Sequence, residues 1–313
     1  MNASFLLFIL LNTGFILLVS PFFMSLIKKV KAYAQGREGP RLLQSYFDLR
    51  KLMQKEVVYS PNSSIIMRIT PYLNLGVLLL ATLFVPVVFI PNAPAGIGNI
   101  IVFLYLLVIE RFFTALCGLD SGSAFGGMGS SRLMSLSAVI EPTMIIAFAA
   151  LAYVLKTVNF HEMFAITAGS TIPESPTLSL ISISLFIIII VETGRIPVDN
   201  PATHLELTMI NEAMILEQSG KNLALIELAH AIKQTILMAV LINTLAPWGL
   251  ATELTFAGIV ISCFYFLVKA SLLAGLIGLF ESSIAKMRLF RLPGFYMMAF
   301  FFSALTILME VFT

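Results

Sequence analysis

Apolar runs of about 20 residues recur along the whole chain, and that length is what one α-helix needs to cross the hydrocarbon core of a bilayer. Lipid offers backbone N–H and C=O groups no partners, so runs of this kind must satisfy themselves as helices. A membrane β-barrel would show short alternating segments instead, and none occur. Composition agrees. The mean hydropathy is +0.96 and 12% of residues are charged, against about 25% in a soluble domain.

The fold class expected is therefore all-α, a polytopic transmembrane helix bundle forming a single integral membrane domain over residues 1–313. About eight spans are legible, at roughly 4–27, 65–90, 99–117, 133–155, 177–193, 223–247, 255–280 and 293–312. Pro71 and Pro86 are expected to kink the second. A formal net charge of +2 gives no footprint for nucleic-acid binding. The cysteines, Cys117 and Cys263, lie inside apolar runs, and no CxxC or Cys/His spacing exists, so the sequence shows neither an iron–sulfur nor a zinc site.

Orientation follows from Lys and Arg. No positive charge precedes the first run, whereas Lys28, Lys29 and Lys31 follow it, the pattern of a retained span rather than a cleaved leader. Loop 28–64 adds Arg37, Arg41, Arg50, Lys51 and Lys55, and Arg132, Arg195, Lys221, Lys286, Arg288 and Arg291 fall in loops on the same side. The opposite side has Lys156 alone. The positive-inside rule then predicts a multi-pass protein of the cell (cytoplasmic) membrane with both termini outside and loops 28–64, 118–132, 194–222 and 281–292 in the cytoplasm.

Two loops carry patterns. After Gly39-Pro40, Leu42, Tyr46, Leu49 and Met53 recur at helical spacing among Gln44, Arg50, Lys51 and Lys55. This predicts a short cytoplasmic amphipathic helix between spans one and two, lying on anionic lipid or under a partner. Residues 118–132, GLDSGSAFGGMGSSR, lack the Gly-Lys-Ser/Thr of a phosphate loop and follow a span rather than a strand. A compact turn with close backbone packing is expected there, with a docking surface as the alternative.

Ionisable residues inside spans cost about 3 kcal/mol each on insertion scales and are expected to face protein. Glu110 and Arg111 are adjacent, about 100° apart on a helix, and need not pair with each other. Glu141 precedes Pro142 and is a candidate cap or kink. In the sixth run Glu227, His230 and Gln234 stand at i, i+3 and i+7 with Lys233 on the flank, a polar stripe able to hold or pass a proton. Lys269 and Glu281 lie in the seventh, where packing ion pairs are the alternative reading. Residues 192–220 gather Glu192, Asp199, Glu206, Glu212 and Glu217 with Arg195 and His204, and Pro197 and Pro201 keep the stretch from being one helix. Crowded carboxylates at low dielectric have raised, coupled pKa values, so burial decides whether these groups exchange protons near neutral pH.

Several segments together resemble one family, the membrane subunit shared by respiratory complex I (NADH dehydrogenase subunit 1) and energy-converting membrane-bound hydrogenases. They are QGREGPRLLQSYFDLRKLMQKE (35–56), ETGRIPVDNPATHLEL (192–207), LEQSG (216–220) and LFESSIAKMRL (279–289). RFFTALCGLDSGSAFGGMGSSR (111–132) is similar to the formate hydrogenlyase/hydrogenase-4 branch. There are departures. Where the family usually has a Glu-Ala-Glu-x-Glu-Leu run, this chain has Ala202-Thr203-His204-Leu205-Glu206-Leu207, and Leu133 follows Ser131-Arg132 where that branch often has Glu.

The resemblance implies a non-catalytic anchor and coupling subunit of a multisubunit oxidoreductase complex, linking cytoplasmic electron transfer to proton or sodium translocation. The chain itself would hold no cofactor. Iron–sulfur clusters and a nickel–iron site would reside in an iron–sulfur small subunit and a hydrogenase-large-like subunit, beside antiporter-like membrane subunits. The expected proton path is Glu141, Glu192, Asp199, His204, Glu206 and Glu217, extended by Glu227, His230, Lys233, Lys269 and Glu281, with Arg37, Asp48, Lys51, Arg132 and Arg195 facing partners. The rival within the family is a quinone-chamber subunit of a complex I-type oxidoreductase. A stand-alone transporter is weakened by the lack of a visible inverted repeat, and a purely structural anchor would make the polar stripes helix glue.

Overall fold

The computed structural model describes residues 3–91, 96–168, 176–199, 209–251 and 255–312. Within them the elements run α1 Ala3–Ala34, α2 Gln44–Met53, α3 Ile65–Ala81, α4 Ile100–Asp120, α5 Ala124–Leu155, α6 Phe160–Thr167, α7 Pro176–Glu192, α8 Asn211–Ile215, α9 Gly220–Leu245, α10 Phe256–Ser283 and α11 Leu292–Phe312. Six of these helices are long and apolar enough to cross a membrane, and α3 and α7 are shorter apolar helices of 17 residues each. At 1.5 Å per residue, 17 residues span about 25 Å, just short of the hydrocarbon core. The eight expected runs therefore map onto these eight helices, and the chain is a multi-pass membrane protein.

Helix α9 is the hub. It packs against α1, α2, α3, α7 and α10, and every side chain from Ala231 to Thr244 is buried. Its polar residues consequently face protein, as the cost of exposing them to lipid requires. Helices α4, α5, α7 and α11 build the other half, with α11 lying on α5 and α7. The main core cluster joins the two halves through Phe103, Phe148, Ile190, Ile232 and Tyr296.

Several expectations shift. Helix α1 runs past its apolar part to Ala34, whereas α3 ends at Ala81, leaving Pro86 beyond it. Pro71 and Pro142 sit within α3 and α5, both of which continue through them. Glu141 is thus a mid-helix residue, not a cap. The glycine-rich stretch is not a turn: only Ser121–Ser123 separate α4 from α5, whose first turns take up Gly126, Gly127 and Gly129. A Cβ at Gly126 would run into the Gly118 carbonyl, and one at Gly129 would stand 2.9 Å from the Ile210 carbonyl. Close backbone approach holds as the reason for these glycines, achieved by helices packing rather than by a loop.

Helix α2 forms where its periodicity placed it. Ser45 donates its N–H to Ser25 Oγ on α1 at 3.0 Å, and the Tyr46 hydroxyl donates to the Leu18 carbonyl, so α2 is fastened against α1. Phe47, Arg50 and Lys51 remain exposed.

Candidate functional site: a buried charge chain

The site begins with how α7 ends. Gly194 adopts a left-handed φ of +54°, a conformation glycine takes without steric cost. The Gly194 N–H bonds to the Val191 carbonyl at 3.1 Å and the Arg195 N–H to the Ile190 carbonyl at 2.9 Å. This is a Schellman cap. It leaves Glu192 as the last helical residue and turns Arg195 back into the protein.

Glu192 then meets two cations. Arg111 of α4 donates to its Oε1, and Lys233 of α9 lies 3.1 Å from its Oε2. Arg111 also reaches Glu141 of α5 at 3.3 Å, and Lys233 reaches Glu110 of α4 at 2.8 Å. The result is a continuous chain, Glu110–Lys233–Glu192–Arg111–Glu141, crossing four helices. The Glu192, Lys233 and Arg111 side chains are nearly inaccessible, whereas Glu141 is 40% exposed and opens one end. Three carboxylates face two cations, so the fully ionised chain carries one surplus negative charge.

A second cluster centres on Arg195. Its Nη1 lies 3.2 Å from Glu281 Oε1, its Nη2 donates to Gln234 Oε1 at 2.6 Å, and Lys31 Nζ lies 3.1 Å from Glu281 Oε2. Here one carboxylate faces two cations, the opposite imbalance. Both clusters border a cavity of about 150 Å³ that is also lined by Lys28, Glu212, Glu227 and His230. A cavity of that size accommodates several waters. A neighbouring cavity of about 200 Å³ under α2, lined by Ser45, Asp48 and Leu49, shares Met24, Lys28 and Glu227 with the first.

Asp199 closes the site at the basic end. Its Oδ2 accepts N–H bonds from Ile210 and Asn211, both at 2.9 Å, and its Oδ1 lies 3.3 Å from Lys286 Nζ. The carboxylate thereby ties the chain leaving α7 to the start of α8. Glu212, on α8, has its pKa pushed up to about 7 by burial first, with Glu227 and Asp199 adding repulsion and Lys28 opposing. Burial pushes Lys286 down, partly offset by Asp199.

The expected residues sort plainly. Glu141, Glu192, Asp199, Glu227, His230, Lys233 and Glu281 belong to the clusters or their cavity. Lys269 does not: its ammonium donates to the Ala246 carbonyl at 2.8 Å and to that of Trp248, holding the chain just past α9. Glu281 pairs instead with Lys31 and Arg195. Glu217 is exposed, beside Val58 and Ser60, away from the chain. His204 and Glu206 lie outside the described residues, as does Pro201. Arg37, Asp48 and Lys51 are exposed. Arg132 is half-buried and donates to the Met209 carbonyl at 2.8 Å. Arg195, expected at the surface, is only 6% exposed because Glu281 and Gln234 hold it inside. Glu110 and Arg111 complete the chain although the path expected from sequence omits them. Their signal is the costly pair of ionisable residues in an apolar run.

Comparison with known proteins places this architecture. The chain is 30% identical over 284 residues to hydrogenase-4 component C of Escherichia coli K12, covering 90% of this chain and 88% of that one. It is 29% identical over 271 residues to formate hydrogenlyase subunit 4 of the same strain, covering 87% of each. An NADH-quinone oxidoreductase chain of Chlorobium luteolum is 28% identical over 221 residues, covering 65% of this chain and 57% of that one. Among solved structures, a chain of the membrane-bound sulfane sulfur reductase, an archaeal respiratory membrane complex, shares the fold with a TM-score of 0.81 at 21% identity, covering 98% of this chain and 99% of that one. Residues 6–312 match the family described as NADH dehydrogenase, and the chain belongs to that family as one of its membrane subunits.

Proposed function

We propose that this chain is the membrane anchor and coupling subunit of a hydrogenase-type redox complex, linking electron transfer in cytoplasmic partners to ion translocation. The observation that carries it is the buried chain from Glu110 to Glu141 through Lys233, Glu192 and Arg111. Glu212, near half-protonated at neutral pH, faces the cavity that this chain borders. Moving a unit charge against 100 mV requires about 2.3 kcal/mol. The energy would come from iron–sulfur and nickel–iron centres in partner subunits docked at the basic end, which the positive-inside rule assigns to the cytoplasm. Exposed Arg37, Asp48 and Lys51 belong to that docking face.

The cavity under α2, which shares Met24, Lys28 and Glu227 with the charged one, favours a second reading, a quinone-chamber subunit of a complex I-type oxidoreductase. Purification of the complex through a tag on this chain tests the choice. An iron–sulfur subunit and a hydrogenase-large-like subunit are expected to co-purify, and hydrogen to be evolved. Quinone-dependent turnover would favour the second reading, and transport by the purified chain alone would overturn both.

A further inference from the structure

Two segments meet at the basic end, away from the charge chain. Residues 56–61, between α2 and α3, lie against residues 216–220, which lead into α9. Ser219 fastens them: its hydroxyl accepts from the Val58 N–H at 2.8 Å and donates to the Val58 carbonyl at 3.1 Å. Gly220, at a left-handed φ of +53°, has the Glu56 carbonyl where a Cβ would stand. Asn222 donates to the Tyr59 hydroxyl at 3.2 Å, and the Arg68 guanidinium lies 4.8 Å from the Tyr59 ring centre. The backbone is held from several sides, so the surface it presents is preformed, and a preformed surface loses little freedom on binding.

Between the segments lies an open groove of about 350 Å³, lined among others by Val58, Pro61, Leu216 and Glu217. Val58 is 71% exposed and Leu216 48% exposed. Neither belongs to a helix that spans the membrane, so the hydrocarbon core does not cover them, and apolar side chains gathered on one exposed groove mark an interaction site. Glu217, also exposed, is the one charged residue among the described residues that line the groove, although Lys and Arg are frequent in the loops at this end. Apolar walls beside a carboxylate suit an amphipathic cation. Arginine meets both demands, because its stem lies along apolar surface while its guanidinium bonds a carboxylate through two N–H groups.

We propose that this groove is a docking site for a soluble partner subunit, which lays an arginine side chain against Val58 and Leu216 and pairs it with Glu217. Glu217 is then a recognition residue rather than a member of the proton path. The proposal deepens the function given above, on which the presence of such a subunit rests. The test places a photo-crosslinking residue at Val58 in the tagged, intact complex and compares partner recovery from wild type, Glu217→Gln and Glu217→Arg. The cross-linked segment, identified by mass spectrometry, is expected to belong to a soluble subunit of the complex and to contain an arginine. Recovery of that subunit is expected to fall several-fold in Glu217→Gln and further in Glu217→Arg, with both variant chains reaching the membrane at wild-type level because Glu217 is exposed. No cross-link, or cross-links confined to lipid, to a second copy of this chain or to segments without arginine, would overturn the proposal, as would wild-type recovery in both variants. Should redox subunits still co-purify in that event, the coupling function stands. An arginine-bearing cross-linked subunit in a complex without redox centres would overturn that function and leave the docking site.

Discussion

Glu192, the last residue of α7, and Lys233, in the middle of α9, meet at 3.1 Å with side chains 1% and 6% exposed. Arg111 holds the other carboxylate oxygen. Taking three charges out of water costs several kcal/mol per ion, and only close pairing recovers it. The arrangement is therefore more demanding than hydrophobic packing would be, which argues that the charges serve something besides stability.

Arg111→Met leaves Glu192 with Lys233 alone and strips Glu141 of its partner. Removing one member of a buried pair costs about 3–5 kcal/mol. The thermal midpoint of the purified complex is expected to fall accordingly, and an unchanged midpoint would show the chain to be energetically idle.

Glu110→Gln and Lys233→Gln are each expected to destabilise, and the double variant less than the sum of the two. Residues in one ion-pair network couple by about 0.5–3 kcal/mol. A double-mutant cycle in denaturant measures this, and strict additivity would deny the 2.8 Å contact an energetic role.

Glu212 makes stability depend on pH. Its pKa is raised from 4.5 to about 7, so the folded protein binds more protons than the unfolded chain between those values. Stability contributed by this group is full below pH about 4.5, is lost as pH rises towards 7, and is flat above. Glu212→Gln should flatten that part of a midpoint-against-pH curve. An identical slope in the variant would remove Glu212 from the titrating set.

The glycines of α5 are not equivalent. Gly126→Ala would force a methyl onto the Gly118 carbonyl, whereas a Cβ at Gly127 meets nothing within 4 Å. Recovery of assembled complex is expected to drop for the first and hold for the second. Equal recovery would mean that α4 and α5 do not need their close approach.

What can be read from sequence tracks the range of the physical constraint. Lipid acts on each segment by itself, so the eight apolar runs, and α2 with its Tyr46 and Leu49 spacing, are legible. The stripe of Glu227, His230 and Gln234 is legible because helical periodicity is local. Pairings are not. Arg111 meets Glu192 across 81 positions and Lys233 meets Glu110 across 123, and nothing local to Glu110 reports either contact. Arg195 reads as a surface residue because an arginine in a polar, acid-rich loop looks solvated until Glu281, on another helix, is brought beneath it. The glycine-rich stretch reads as a turn when glycine propensity is weighed without the neighbouring helices that make small residues favourable there.

Whether the buried chain joins electron transfer to ion movement is read most directly from ions translocated per electron pair. The system is proteoliposomes holding the intact complex, wild type against Glu192→Gln and the more peripheral Glu110→Gln. Electron transfer by assembled enzyme is expected to persist in both variants while the ratio falls, most in Glu192→Gln. A ratio equal to wild type in both variants would contradict the coupling role.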